Sequence, residues 1–310
     1  MTNEYSIFDE VKRLKFEDGI YIQHTALQEI SSLEGYDMVN RLLTFKNLQN
    51  FIHLMRVWLG YNFVSKYAGP FSVVVDLGCG FAEIPDLLFC NRHKHNYYCL
   101  DFDIRKLKKV AERKIGSYNR VLVQNDLSRT ELPFPDNSVD AVLCIETLEH
   151  IPLGAGIALL YEVNRKLKDD GVFLVTTPNV RNSKTVEAFH IYEWEYSELT
   201  ETLVALGFVI TDTFGLNIAK NITTLDSANK GVEDYEIARK ILPSAIVKPF
   251  FSFKYPYDSR AFGLICRKSG NLDYDKLGAI DYSFSKERNK TQMERHEDWR
   301  KYSEKKLEKK

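Results

Sequence analysis

The sequence has little cysteine, and its five cysteines (Cys79, Cys90, Cys99, Cys144 and Cys266) form no CxxC pair. Such spacing offers neither a zinc ribbon nor a disulfide framework, and thiols set among apolar residues behave as small hydrophobes in a reducing compartment. Long uncharged apolar runs are missing, so nothing has the length of a bilayer span. Met1 to Asp18 mixes acids and bases and lacks the apolar stretch of a secretion signal. An excess of one charge is absent as well: 42 basic against 43 acidic side chains leave a formal net charge of −1, too little to steer the whole molecule toward nucleic acid or anionic lipid. There is no internal repeat. These absences predict a cytoplasmic protein without a membrane span, in which any polyanion binding would need a local patch.

What is present points to one large α/β domain with additions: 310 residues, 44% of them hydrophobic, suffice for a sizeable core. From Phe71 onward short apolar runs alternate with amphipathic segments, the pattern of a mostly parallel sheet. Strands are predicted at 72–77, 96–100, 121–124, 141–145, 172–176, 208–211 and 262–266. Helices are expected from about Glu83, over 157–167 and stopping near Gly171, and over 197–206 with Gly207 as its C-cap. The expected fold is therefore a Rossmann-like, seven-stranded, mostly parallel sheet with helices on both faces. Apolar residues at helical spacing over 38–65, from Leu42 to Leu59, predict a helical N-terminal cap within 1–68. The core domain would occupy 69–268, with a lid insertion at 216–260 before the last strand. Residues 269–310 are polar and charged, which predicts an exposed helix or disorder.

The chemistry-bearing residues lie where the predicted strands end. Asp76-Leu77-Gly78-Cys79-Gly80-Phe81-Ala82 follows the first strand, and its glycines permit a tight turn and close approach of a ligand to the backbone. The helix behind the loop presents unpaired N–H groups and a positive dipole end. Alone, a GxG would equally open a dinucleotide fold or be a structural turn. Asp101 follows at the end of the second strand, about 20 residues on, where a carboxylate can accept ribose hydroxyls. Asn125-Asp126-Leu127 follows the third strand, and Leu132-Pro133-Phe134-Pro135-Asp136-Asn137-Ser138-Val139-Asp140 and Leu148-Glu149-His150 complete the series.

Together these motifs closely resemble the class I S-adenosylmethionine-dependent methyltransferase superfamily, typified by enzymes of ubiquinone and menaquinone biosynthesis. The resemblance covers 71–215 and extends to 262–268. It implies S-adenosylmethionine as cofactor, with Gly78, Cys79 and Gly80 under its methionine part and Asp76 near its amino group. Asp101, beside Phe102, would hold the ribose; Asp126 would meet the adenine amino group with Leu127 packed nearby; Glu146 would lie at the cofactor cleft. Ala82 and Val139 depart from the family, which has glycine and phenylalanine there.

Methyl transfer from a sulfonium chiefly requires acceptor and methyl to be held in line, with a base if the acceptor is a hydroxyl. The reacting groups should lie beyond the fourth strand, where Glu146-Thr147-Leu148-Glu149-His150 stands, with His190 in His190-Ile191-Tyr192-Glu193-Trp194 further on. Glu146, Glu149, His150 and His190 are the candidate catalytic residues. The spacing is close enough for a divalent cation, Mg²⁺ or Mn²⁺, and these motifs look like the metal site of the small-RNA 3′-end 2′-O-methyltransferases. Metal-free relatives also carry L-E-H, with the histidine as base or merely packed, so that reading stays open. Bases interleave with aromatics from Lys248 to Arg260, which suits stacking on a base or sugar ring and equally suits the core of a lid.

The expected function is O-methylation of a hydroxyl on a small metabolite, sugar or glycan. RNA ribose methylation and a non-catalytic, cofactor-binding partner subunit are the alternatives. DNA base methylation is disfavoured, because Ile145-Glu146-Thr147-Leu148 stands where a D/N-P-P-Y/F motif would be needed. The sequence sets no oligomeric state.

Overall fold

A computed structural model describes residues 11–23, 48–90, 94–113, 120–129, 131–183, 188–218, 230–241, 247–248, 251–270 and 272–307. Nine strands among the described residues make one sheet: β1 (Lys15–Glu17), β2 (Ile20–Ile22), β3 (Val73–Leu77), β4 (Asn96–Asp101), β5 (Arg120–Gln124), β6 (Val139–Ile145), β7 (Leu167–Pro178), β8 (Phe208–Ile218) and β9 (Ser259–Lys268). Their spatial order is β1-β2-β5-β4-β3-β6-β7-β9-β8. β2 through β7 run parallel across the centre, while β1 and the β9/β8 edge are antiparallel. The seven expected strands are thus all present. The count itself is corrected to nine, because residues assigned to a helical cap form a short hairpin that extends the sheet beyond β5.

Other boundaries move as well. β7, β8 and β9 are longer than their apolar cores: antiparallel pairing of β8 with β9 continues through polar residues at Asp212–Asn217, and β7 starts early at Leu167, which pairs with Val139 of β6. The helix predicted over 157–167 spans Leu153–Lys166, and its expected stop near Gly171 lies within β7. The remaining helices are α1 (Leu48–Tyr67), α2 (Glu83–Cys90), α3 (Ile104–Glu112), α5 (Tyr196–Ala205), α6 (Lys230–Ile241), α7 (Tyr274–Gly278) and α8 (Ser283–Leu307), with Leu153–Lys166 as α4. The part of the cap prediction over 38–47 lies outside the described residues.

Local sequence explains the elements that frame the site. β3, Val-Val-Val-Asp-Leu, is buried on both faces, as a central parallel strand must be. Asp103 caps α3 by accepting the Arg105 amide, and Glu195 with Glu198 forms a capping box on α5. Gly207 ends α5 with a left-handed φ of +85°, open to glycine at low cost. One apolar cluster lies on each sheet face: Phe173, Trp194, Leu199 and Leu160 on one, Val74, Leu107, Leu143 and Val64 on the other. Each large aliphatic buried there contributes roughly 1.5–3 kcal/mol.

β3 pairs with β4 on one side and β6 on the other, so the chain reverses its winding at that seam. In open α/β sheets ligands bind beyond the carboxyl ends of strands at such a switch point. Every candidate residue named above for cofactor binding lies at that edge.

Candidate functional site

The glycine loop is held from below. Gly78 and Cys79 N–H both donate to Leu100 C=O, at 2.8 and 2.9 Å. Gly78 adopts φ +74°, and a Cβ on it would lie 2.2 Å from Thr147 Oγ1, so the loops after β3 and β6 touch there. Gly80, at φ +57°, is different: its Cβ would meet nothing within 4 Å, which leaves its outer face open. Ala82 holds φ +53° with its methyl fully buried, a backbone that glycine would adopt at lower cost.

Asp101 is buried and receives Gly80 N–H at 3.0 Å and Asp103 N–H at 2.8 Å. Burial raises its pKa, opposed by Lys106 and those two amides. Asp76, on the neighbouring strand, accepts the Tyr97 hydroxyl at 3.0 Å and is pushed up to about 7, chiefly by burial. Asp126 receives Ser128 N–H at 3.1 Å beside buried Leu127, and Phe102 lies half-buried under the Lys106 ammonium. Cys79 is a buried thiol raised by burial, which suits packing better than nucleophilic chemistry.

The second half of the edge is assembled from more distant chain. Glu146 takes a left-handed φ of +50°, uncommon for a residue with a side chain. Its N–H donates to Thr176 C=O at 3.0 Å, its Oε1 accepts Thr176 Oγ1–H at 2.9 Å, and Arg56 of α1 pairs with Oε2. A 3₁₀ turn follows at Leu148–His150. Ile191 and Tyr192 N–H both donate to Glu149 C=O, at 2.7 and 3.0 Å, which draws the loop after β7 against this turn.

The consequence is that Glu149, His150 and His190 each offer a ligand atom within 4.8 Å of the others. Glu146 is the fourth predicted member of that set; the structure turns it to Arg56 and Thr176 instead. His150 Nδ1 donates to Phe189 C=O at 2.9 Å, and His190 Nδ1 to Glu193 Oε1 at 2.6 Å. Both rings are thereby oriented with Nε2 left for other partners, 5.1 Å apart between centroids. Glu149 is buried, accepts Thr177 Oγ1–H at 3.2 Å, and has its pKa raised well above the usual range by burial and then by Glu146. Burial of the ring pushes His150 down to about 4, although the residue keeps an exposed edge; the direction, a neutral imidazole near pH 7, is what the geometry supports.

Sequence reasoning missed Arg56, Thr176 and Thr177, which hold the two glutamates. Glu193 was in view within the His190 motif, without its role as partner of His190. The aromatic run after Lys248 contributes structure: Phe251 and Tyr255 pack with Tyr235 and Val247. Tyr257 C=O accepts Asn179 and Asn182 side-chain N–H at 2.9 and 2.6 Å, bracing the start of the His190 loop.

Known proteins are similar to this chain over the span that holds most of these residues. The methyltransferase domain family matches residues 75–175, the span that holds the glycine loop, Asp101, Asp126 and Glu146 through His150. A probable S-adenosylmethionine-dependent methyltransferase of Mycolicibacterium smegmatis is 32% identical over 163 residues, 51% of this chain and 60% of that protein. Residues 75–175 match a methyltransferase domain, and the stretch around them is similar to S-adenosylmethionine-dependent methyltransferases. A probable methyltransferase of the same cofactor class from Mycobacterium tuberculosis is 30% identical over 174 residues, 54% of this chain and 60% of the relative. The chain therefore spans about three fifths of the length of these curated relatives. Among solved structures, a SAM-dependent methyltransferase from Archaeoglobus fulgidus aligns over 75% of this chain and 100% of its own, with 18% identity and a TM-score of 0.49. No helix among the described residues is long and apolar enough to cross a membrane.

Proposed function

We propose that the chain transfers the methyl group of S-adenosylmethionine to a hydroxyl of a small metabolite, sugar or glycan. The observation that carries this reading is the convergence of Glu149, His150 and His190 at the edge that also holds Asp76, Gly80 and Asp101. The residues fit the cofactor: the open face of Gly80 leaves room for a ligand against the backbone, and the buried carboxylates at 76 and 101 suit an amino group and ribose hydroxyls. Gly78, Cys79, Phe102, Asp126 and Leu127 would complete its cradle. When bound, S-adenosylmethionine supplies an activated methyl on a sulfonium.

On the acceptor side one carboxylate and two imidazoles make a donor set that suits Mn²⁺ better than Mg²⁺, which prefers oxygen throughout. Glu149, His150 and His190 would hold the ion, whose chemistry there is to acidify and clamp an acceptor hydroxyl. A second assignment is favoured by the His150–Phe189 hydrogen bond: with Nδ1 engaged and the ring neutral, Nε2 can itself take the hydroxyl proton. RNA ribose is a further acceptor to test, since Phe189 stands 79% exposed beside His150 with a ring free to stack.

A tritiated-methyl assay on fractionated cell extract, with and without exhaustive chelation, tests these readings together. Label in small molecules or glycans is expected, and loss on chelation with restoration by Mn²⁺ assigns the metal. Full activity after chelation selects His150 as base, and label in RNA overturns the small-acceptor reading. Titration with S-adenosylhomocysteine separates an enzyme lacking its acceptor from a chain that binds no cofactor.

A further inference from the structure

Helix α8 has the composition of an exposed rod, dominated by Lys, Arg and Glu. Two of its residues break that pattern. Ser285 and Asn289, one turn apart, are fully buried. The tail expected to bury little is a mostly exposed helix, and the little it buries has a specific address.

Asn289 Oδ1 accepts Glu193 N–H at 2.9 Å, and Nδ2 donates to Glu193 C=O at 2.8 Å and to Ser285 C=O at 2.8 Å. A carboxamide that meets both polar groups of one residue serves its backbone as a neighbouring strand would. Glu193 is the residue whose carboxylate receives His190 Nδ1–H. Arg288 donates to Ser183 C=O at 2.7 Å, and Tyr282 pairs with the Thr202 hydroxyl while its ring meets Trp194 edge-on. The helix and the residue before it thus hold Ser183, Glu193, Trp194 and Thr202, and Asn289 grips the one that orients an imidazole.

We propose that Asn289 is a positioning residue for His190: by fixing the backbone of Glu193, α8 sets the direction in which His190 presents Nε2 toward Glu149 and His150. An imidazole steered through a carboxylate is only as fixed as the backbone carrying that carboxylate. The inference rests on reading Glu149, His150 and His190 as the acceptor-side site. A role confined to anchoring the helix would leave the His190 ring undisturbed when Asn289 is changed.

The test uses the full chain labelled with ¹⁵N-histidine; it has seven histidines, and the His190 signals are assigned by their absence in a His190→Gln variant. Long-range ¹H–¹⁵N correlation of the parent should show His190 as a single tautomer protonated at Nδ1. In Asn289→Ala the two ring-nitrogen resonances should move toward each other as the tautomers mix. Affinity for Mn²⁺ by calorimetry should fall roughly 10- to 100-fold, with S-adenosylhomocysteine binding unchanged. A folded variant whose His190 signals superimpose on the parent's overturns the proposal. Should Asn289→Ala lose its near-ultraviolet circular dichroism, the isosteric Asn289→Asp, which keeps the acceptor and loses the donor, takes its place. One measurement needs no variant: the Glu193 amide should exchange with solvent in step with the buried turn of α8, and independent, fast exchange also overturns the proposal. If the parent binds no Mn²⁺, the metal assignment falls while the tautomer and exchange results still decide the role of Asn289.

Discussion

Asp76 and Asp101 lie on two adjacent strands and Gly80 in the loop after the first, and every contact among them is made within a stretch of 26 residues. Glu149, His190 and Asn289 are spread over 141 residues and meet only because three separate segments pack together. The first region works through backbone: N–H groups, glycine conformations and carboxylates at strand ends. The second works through side chains that orient one another, Asn289 on Glu193, Glu193 on His190, Thr177 on Glu149. A backbone-built pocket tolerates distant change, whereas a relay of side chains passes on any slip along its length. The cofactor half should therefore fail only when its own residues are altered, and the acceptor half should fail from afar.

The comparison breaks most sharply at Asp101. Asp101→Ala removes the acceptor of Gly80 and Asp103 N–H, and binding of S-adenosylhomocysteine by calorimetry should weaken about 100-fold or more. Retained binding would remove the cofactor assignment. On the other side, Glu149→Gln and His190→Ala should each lower Mn²⁺ affinity by roughly 100-fold while leaving S-adenosylhomocysteine binding intact. Loss of both ligands together would show that the two halves are one unit.

Asp76 sharpens the cofactor half through pH. Its pKa is raised from 3.8 to about 7, so the folded state favours the protonated form. The stability this contributes is complete below pH 3.8 and is lost as pH rises through 7. Urea unfolding of the cofactor-free chain at pH 4.5 and pH 7.5 should show the parent losing on the order of 3–4 kcal/mol relative to Asp76→Asn, whose neutral amide does not titrate. Equal pH dependence in the two proteins would show that Asp76 is ionised throughout. The smallest effect is expected at Ala82. Ala82→Gly relieves a left-handed backbone and removes a buried methyl, two terms of about 1 kcal/mol and opposite sign, so the urea midpoint should barely move.

How much was legible in the sequence follows the same division. The central strands, the glycine loop and the carboxylates at 76, 101 and 126 could be placed because local periodicity and turn chemistry act over a few residues. The edges of the sheet could not. β1 and β2 are three residues each, too short for alternation to register, and they owe their existence to pairing with β5. β8 runs on through polar residues because the ladder with β9, not hydrophobicity, holds it there.

In the acceptor half the motif residues were visible while their relations were not. Glu146 and Glu149 are equivalent by spacing, yet one is taken by Arg56 from α1 and the other faces two histidines. Asn289 carries no signal at all, being one polar residue in a charged helix. The sequence alone determined the domain class and where the glycine loop and the strand-end carboxylates stand, since both follow from short-range pattern and from glycine and aspartate at strand ends. Which glutamate joins the histidines, and that a C-terminal helix braces His190, were decided only by tertiary packing, because those contacts depend on which distant segments meet.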